Sequence, residues 1–188
     1  AKQLGREAIT QMQTAASTVK ALAARLASAP ADQKPEMQKQ LDESKKSEIT
    51  SRDDALFYFT EAQRFVTRET PPEDVSLTLY LTCFLKFAEG DYMSAVVLGE
   101  FVSHRYPASA GARQCAKISL ASYLKLYGEN TTEDKNFESE HIVEVADYIV
   151  QKWPNEPEAE EALNTLIPFM IKERQLERAQ AYLDKIPK

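Results

Sequence analysis

The chain has 188 residues, 43% of them hydrophobic, and carries 29 acidic against 23 basic side chains for a net charge of −6. That is apolar material for a packed core in one elongated domain, or one domain with an appendage, and five glycines exclude a glycine-rich phosphate loop. Residues 1–50 hold 8 basic and 6 acidic side chains, residues 51–127 hold 8 and 9, and residues 128–188 hold 7 and 14; so acidic a C-terminal third repels phosphate backbones, and nucleic-acid binding is not expected.

Residues 2–28 read as one long alanine-rich helix that Pro30 ends. Ile9, Met12, Ala16, Val19, Ala23 and Leu26 keep strict 3-4 spacing, a narrow seam of the coiled-coil type. Such a helix either lies against the rest of the protein or self-associates, giving a homo-oligomer through residues 9–26. Residues 31–50 are polar, with Met37, Leu41 and Ile49 as the large apolar groups, and read as a hydrated linker holding a short helix opened at Pro35. A helix over 51–69 follows, capped by Ser51, with Asp53 and Asp54 in its first turn. Three regions result: a helix at 1–30, a linker at 31–50 and a helical array at 51–188.

Pro72 starts a helix over 72–89 that is apolar nearly all round, from Val75 to Ala88, and so expects burial on most sides. Gly90 ends it and Asp91 caps the next, 92–106, which Pro107 stops. A helix over 109–127 closes at Gly128. Residues 129–136 are a polar loop or frayed helix start. Helices over 137–152, 158–172 (kinked or shortened at Pro168) and 176–186 complete the chain, the last using Leu176, Ala179, Leu183 and Ile186. Period-two alternation is absent, so no strand is expected. No stretch is long and apolar enough to span a bilayer, since residues 77–87 are interrupted by Thr78, Thr82 and Lys86. The chain starts without Met and without a secretion signal. It reads as a processed or excised piece, soluble, cytoplasmic or periplasmic, so that any anchor or signal would lie outside it.

A pattern repeats within this order. Gly90-Asp91-Tyr92, Ala95 and then Arg105-Tyr106-Pro107 mark one hairpin, and Lys152-Trp153-Pro154 closes a segment of similar build. Pro71 and Pro107 are 36 residues apart, and Pro107 and Pro154 are 47, the excess sitting at the polar loop. A repeated helical hairpin cannot bury its apolar face alone and must stack on a neighbour. The period and turn resemble the tetratricopeptide repeat family, whose unit is about 34 residues. The likeness covers roughly 51–188 and is strongest over 76–107. It departs from the family at Cys83, where a glycine or small residue is usual, and at Gly99, where an aromatic is common. The run from Phe101 to Ser109 is similar to bacterial cell-envelope members. The resemblance implies an all-α fold, a right-handed α-solenoid of antiparallel helix pairs, with the N-terminal helix as an addition.

In that family the first helix of each pair lines a concave groove. Carried onto this sequence, the lining is Leu77, Tyr80, Phe84 and Phe87, then Gln114 and Ile118, an aromatic face suited to a partner's helix or extended peptide. Intramolecular covering of that face is the alternative. Further candidate surfaces are the acids Glu158, Glu160 and Glu161 and the ridge of Arg105, Arg113 and Lys117. Chemistry finds little support. Cys83 and Cys115 read as buried free thiols or as a disulfide between neighbouring helices. His104 sits at a helix C-terminus, where positive charge is welcome. Glu138 to His141 gives one Glu-x-x-His, whereas a di-iron bundle needs two. Metal, nucleotide and nucleophile motifs are absent. Asn130-Thr-Thr is a glycosylation sequon only in a secreted eukaryotic chain. The expected function is non-catalytic binding of a protein or peptide, with no cofactor or metal; the alternative is an oligomerisation module of a larger scaffold.

Overall fold

The computed structural model describes residues 1–184, so Ile186 of the expected last helix lies outside the described residues. Eight α-helices and no strand occur among the described residues. The chain divides into two compact units, Ala1–Thr70 and the part from Pro71 onward.

The first unit is a helical hairpin of α1 (Lys2–Ser28) and α2 (Lys34–Arg64). The expected linker at 31–50 is therefore corrected: from Lys34 on it belongs to one 31-residue helix. Ser51 is no cap but a buried mid-helix residue. The signal was hidden because the buried line of α2 is polar or small. Leu41, Ser51, Ala55, Phe59 and Ala62 are buried, with Met37, Ser44 and Glu48 half-buried between them at the same 3-4 rhythm. A two-helix hairpin exposes most of each helix, so few large apolar residues are needed.

The buried line of α1 is Gly5, Ala8, Ile9, Met12, Ala15 and Leu22. The expected seam is thus turned by about one residue: Ala16 is half-buried and Ala23 exposed. Ile9 and Met12 are buried as expected, and the helices come closest at Gly5. A Cβ built there would stand 2.8 Å from Cζ of Phe59, so the helices approach where α1 has no side chain. Along one flank Thr10, Thr14 and Thr18 line a shallow groove with Ser44 and Ser47. Thr14 and Thr18 donate to the carbonyls four residues earlier.

The second unit holds α3 (Pro72–Glu89), α4 (Tyr92–Arg105), α5 (Ala112–Glu129), α6 (Asn136–Lys152), α7 (Pro157–Lys172) and α8 (Leu176–Leu183). Each helix packs on the next, and α3 also touches α5 and α5 touches α7. Short connections make consecutive neighbours antiparallel, as in helical hairpins. The order is compatible with a helical repeat. One core of buried residues runs from Val96 on α4 to Tyr182 on α8 and includes Ile142, Ile149, Leu166 and Met170. A smaller one joins Cys83, Val102 and Cys115.

The boundaries follow local chemistry. Gly90 takes φ +90°, a left-handed C-cap that a side chain would strain. Gly128 does not act this way: α5 continues through it to Glu129 and is capped at Asn130. Asn130 also organises the polar loop, its Oδ1 accepting from the Thr132 amide and hydroxyl at 2.9 and 2.7 Å. Pro168 lies inside α7, which runs on without interruption. The Tyr182 hydroxyl donates to Asp147 Oδ2 at 2.6 Å, tying α8 to α6; burial and that carboxylate push the phenol up to about 12.

Asp91 caps α4 as the sequence indicates, its Oδ1 accepting from the Ser94 amide at 3.2 Å. Asp91→Ala is expected to remove about 1 kcal/mol of stability, read as a lower urea midpoint. Hydrogen bonding to Ser94, aided by Lys86, holds the Asp91 carboxyl below its ordinary value. The native state therefore favours the ionised form. Its stabilisation is present above about pH 4 and fades as pH falls through the folded-state pKa. A gap between wild type and variant that stayed constant into acid would contradict this role.

Candidate functional site

The α3 face is built by spacing. Leu77, Tyr80, Phe84 and Phe87 fall three, four and three residues apart, which sets them on one side of the helix, and all four are half-buried. They are not equivalent. Tyr80 packs on the cluster of Cys83, Val102 and Cys115, as does Ile118 of α5. The backbone at Gly111, just ahead of α5, presses on it: a Cβ there would stand 2.8 Å from Tyr80 Cβ and Cγ. Burial raises the Tyr80 phenol, and the two thiols add to the effect. The Phe87 ring lies 5.6 Å from that of Tyr92, across the Gly90-Asp91 turn. Tyr80 and Ile118 thus contribute to the core as well as to the face.

Gln114 is committed elsewhere. Its Nε2 donates to Glu158 Oε1 of α7 at 2.9 Å. Beside it Arg113 pairs with Glu156 and Glu158, and Lys117 pairs with Glu161. The acidic patch and the basic ridge that the sequence presents as separate surfaces are therefore largely one ladder between α5 and α7. Glu158 is 8% exposed. Burying a carboxylate is unfavourable unless hydrogen bonds and a counter-charge meet it; Gln114 bonds Oε1, while Oε2 has no hydrogen bond and faces the Arg113 charge at 3.7 Å.

The sulfur and imidazole groups take structural positions. Cys83 and Cys115 are free thiols, both fully buried. Cys83 Sγ donates to the Ala95 carbonyl at 3.3 Å. The Cys83 thiol beside it, and then burial, hold Cys115 far above the ordinary thiol range. His104 stacks on Tyr148 at 4.0 Å. His141 Nδ1 lies 2.8 Å from the Phe137 carbonyl, and Glu138 accepts from Asn130. Among the described residues no group of three or more His, Cys, Asp or Glu side chains is placed to share a metal ion. No helix among them is long and apolar enough to cross a membrane.

One surface escaped the sequence reading. Met93, Val97 and Phe101 of α4 are 50%, 61% and 50% exposed. Their spacing of four was the available signal, but apolar residues in a helix flanked by turn signals read as core. No known family model matches the chain, and no curated protein or solved structure matches it either.

Proposed function

We propose that the chain is a non-catalytic protein-interaction module, a right-handed array of tetratricopeptide type whose α3 and α5 surface holds a partner's helix or extended peptide. The observation that carries this reading is the half-exposed line Leu77, Tyr80, Phe84 and Phe87 on one side of α3. The succession of contacts from α3 to α5 to α7 supports it, since one helix of each pair then contributes to a common surface. Aromatic side chains with a fixed base and an exposed edge give much contact area for little lost freedom, the character of binding hot spots.

The test is peptide selection on the immobilised chain, followed by affinity measurement on Phe84→Ala. Selected peptides should lose roughly thirtyfold in affinity, the size of a hot-spot truncation, while the unfolding midpoint stays close to wild type. Equal binding by the variant would overturn the reading. Tyr80→Ala is less informative, because Tyr80 also supports the cluster around Cys83. The alternative, assembly through residues 9–26, would use a line of which Ile9 and Met12 are buried, Ala16, Val19 and Leu26 half-buried and Ala23 exposed.

A further inference from the structure

Most of the exposed apolar surface of α4 is one stripe. Met93, Val97 and Phe101 recur every fourth residue, each at least half exposed, so they form a line about two turns long. Isolated exposed apolar residues are ordinary; three in register on one helix are the pattern by which a partner helix is gripped.

α6 meets α4 at Ser103 and His104, just past the Phe101 end of the stripe. Tyr148 donates to the Ser103 carbonyl at 2.7 Å, and its ring stacks on His104. One turn back from these contacts come Glu100 of α4 and Glu144 of α6. Both act on the buried Tyr123 phenol, which burial and these two carboxylates raise. A further turn back lie His141 and Phe137, with rings 5.1 and 6.2 Å from Tyr123 and 4.3 Å from each other. Phe137 is 53% exposed and adds a fourth apolar group. Glu140 and Glu144 are exposed on α6. They line a hollow with Gln175 and Arg178 at the start of α8, and among the described residues neither is within ion-pair distance of a lysine or arginine; Glu144 lies 4.0 Å from His141 Nε2. The α5–α7 ladder is different, because its carboxylates are already matched by Arg113 and Lys117.

We infer that the outer faces of α4 and α6 form a second docking surface, for a partner's amphipathic helix that carries lysine or arginine beside its apolar stripe. The apolar side chains of that helix lie on Met93, Val97, Phe101 and Phe137. Its cations meet Glu140 and Glu144. Charge complementarity selects this occupant: an acidic or neutral amphipathic helix would seat the same apolar groups but leave the carboxylates unmatched or repelled.

The test uses the full chain and two fluorescent synthetic peptides of one helical design, leucines at every third and fourth position, with flanking residues all lysine in one and all glutamate in the other. Anisotropy should show the lysine peptide binding at least about tenfold tighter, with the preference shrinking at high salt. Val97→Asp and Phe101→Asp should each weaken it about tenfold without lowering the unfolding midpoint, since both positions are mostly solvent-facing. Glu140→Lys with Glu144→Lys should reverse the preference. Phe84→Ala should leave this binding unchanged, which separates it from the α3 surface. Equal affinity for the two peptides, or indifference to Val97→Asp and Phe101→Asp, overturns the inference. So does a wild-type dimer in light scattering that Phe101→Asp converts to monomer, because a second copy would then be the occupant.

Discussion

Gly99→Leu is expected to destabilise the second unit by more than about 3 kcal/mol, beyond the usual range for overpacking, and to leave little folded protein at 37 °C. The reason is the closeness of α4 to α5. A Cβ at residue 99 would stand 2.3 Å from Ser119 Oγ, 2.8 Å from the Cys115 carbonyl and 3.4 Å from Cys83 Sγ. The serine hydroxyl is already committed to the Cys115 carbonyl at 3.2 Å, and that carbonyl is helix backbone with no freedom to withdraw. Even Gly99→Ala, which gains about 1 kcal/mol of helix propensity, should lose more to the collision than it gains. Urea unfolding of the two variants decides the matter; an alanine variant as stable as wild type would show that the helices separate at little cost. At residue 99 there is no room for any side chain.

Leu166→Ala should cost about 3–4 kcal/mol, within the range for truncating a fully buried leucine. Leu166 is completely buried on α7, in a core that also takes Ile142 and Ile149 from α6 and Met170 from α7 itself. The neighbours belong to packed helices, so the cavity cannot close by moving one loop. Ile171→Ala, five residues along but 53% exposed, provides the control and should change stability by less than about 0.5 kcal/mol. Similar urea midpoints for the two variants would mean that the core relaxes around the missing atoms.

The sequence reading succeeded where punctuation is chemical. Pro72, Gly90, Asp91 and Pro107 act through fixed φ, permitted φ or a capping carboxylate, all local properties, and the helix limits they mark agree with the structure to within a few residues. It failed where the deciding contact is distant or the residues are small. Residues 34–50 look like linker because, beside Met37 and the buried Leu41, their inward positions are the half-buried Ser44 and Glu48, which become informative only once an alanine-rich partner is known to lie opposite. The seam of α1 was misplaced by one residue because Ala15 and Ala16 are indistinguishable without Phe59 against Gly5. At the candidate site, the aromatic line of α3 was legible from spacing. The commitment of Gln114 was not, since Glu158 lies 44 residues away. Nor was the exposure of Met93, Val97 and Phe101, because an apolar residue does not announce which side of its helix is covered.

The two cysteines bear on how the protein can be observed. Both thiols are sealed in the contact of α3, α4 and α5, where reagents do not reach them, and Cys115 is held far above the ordinary thiol range, so it does not offer the thiolate that alkylating reagents attack. Labelling must wait for that contact to open. The rate of alkylation in native buffer therefore acts as a clock for the opening of the contact among α3, α4 and α5, and the chain carries this reporter without any engineered label.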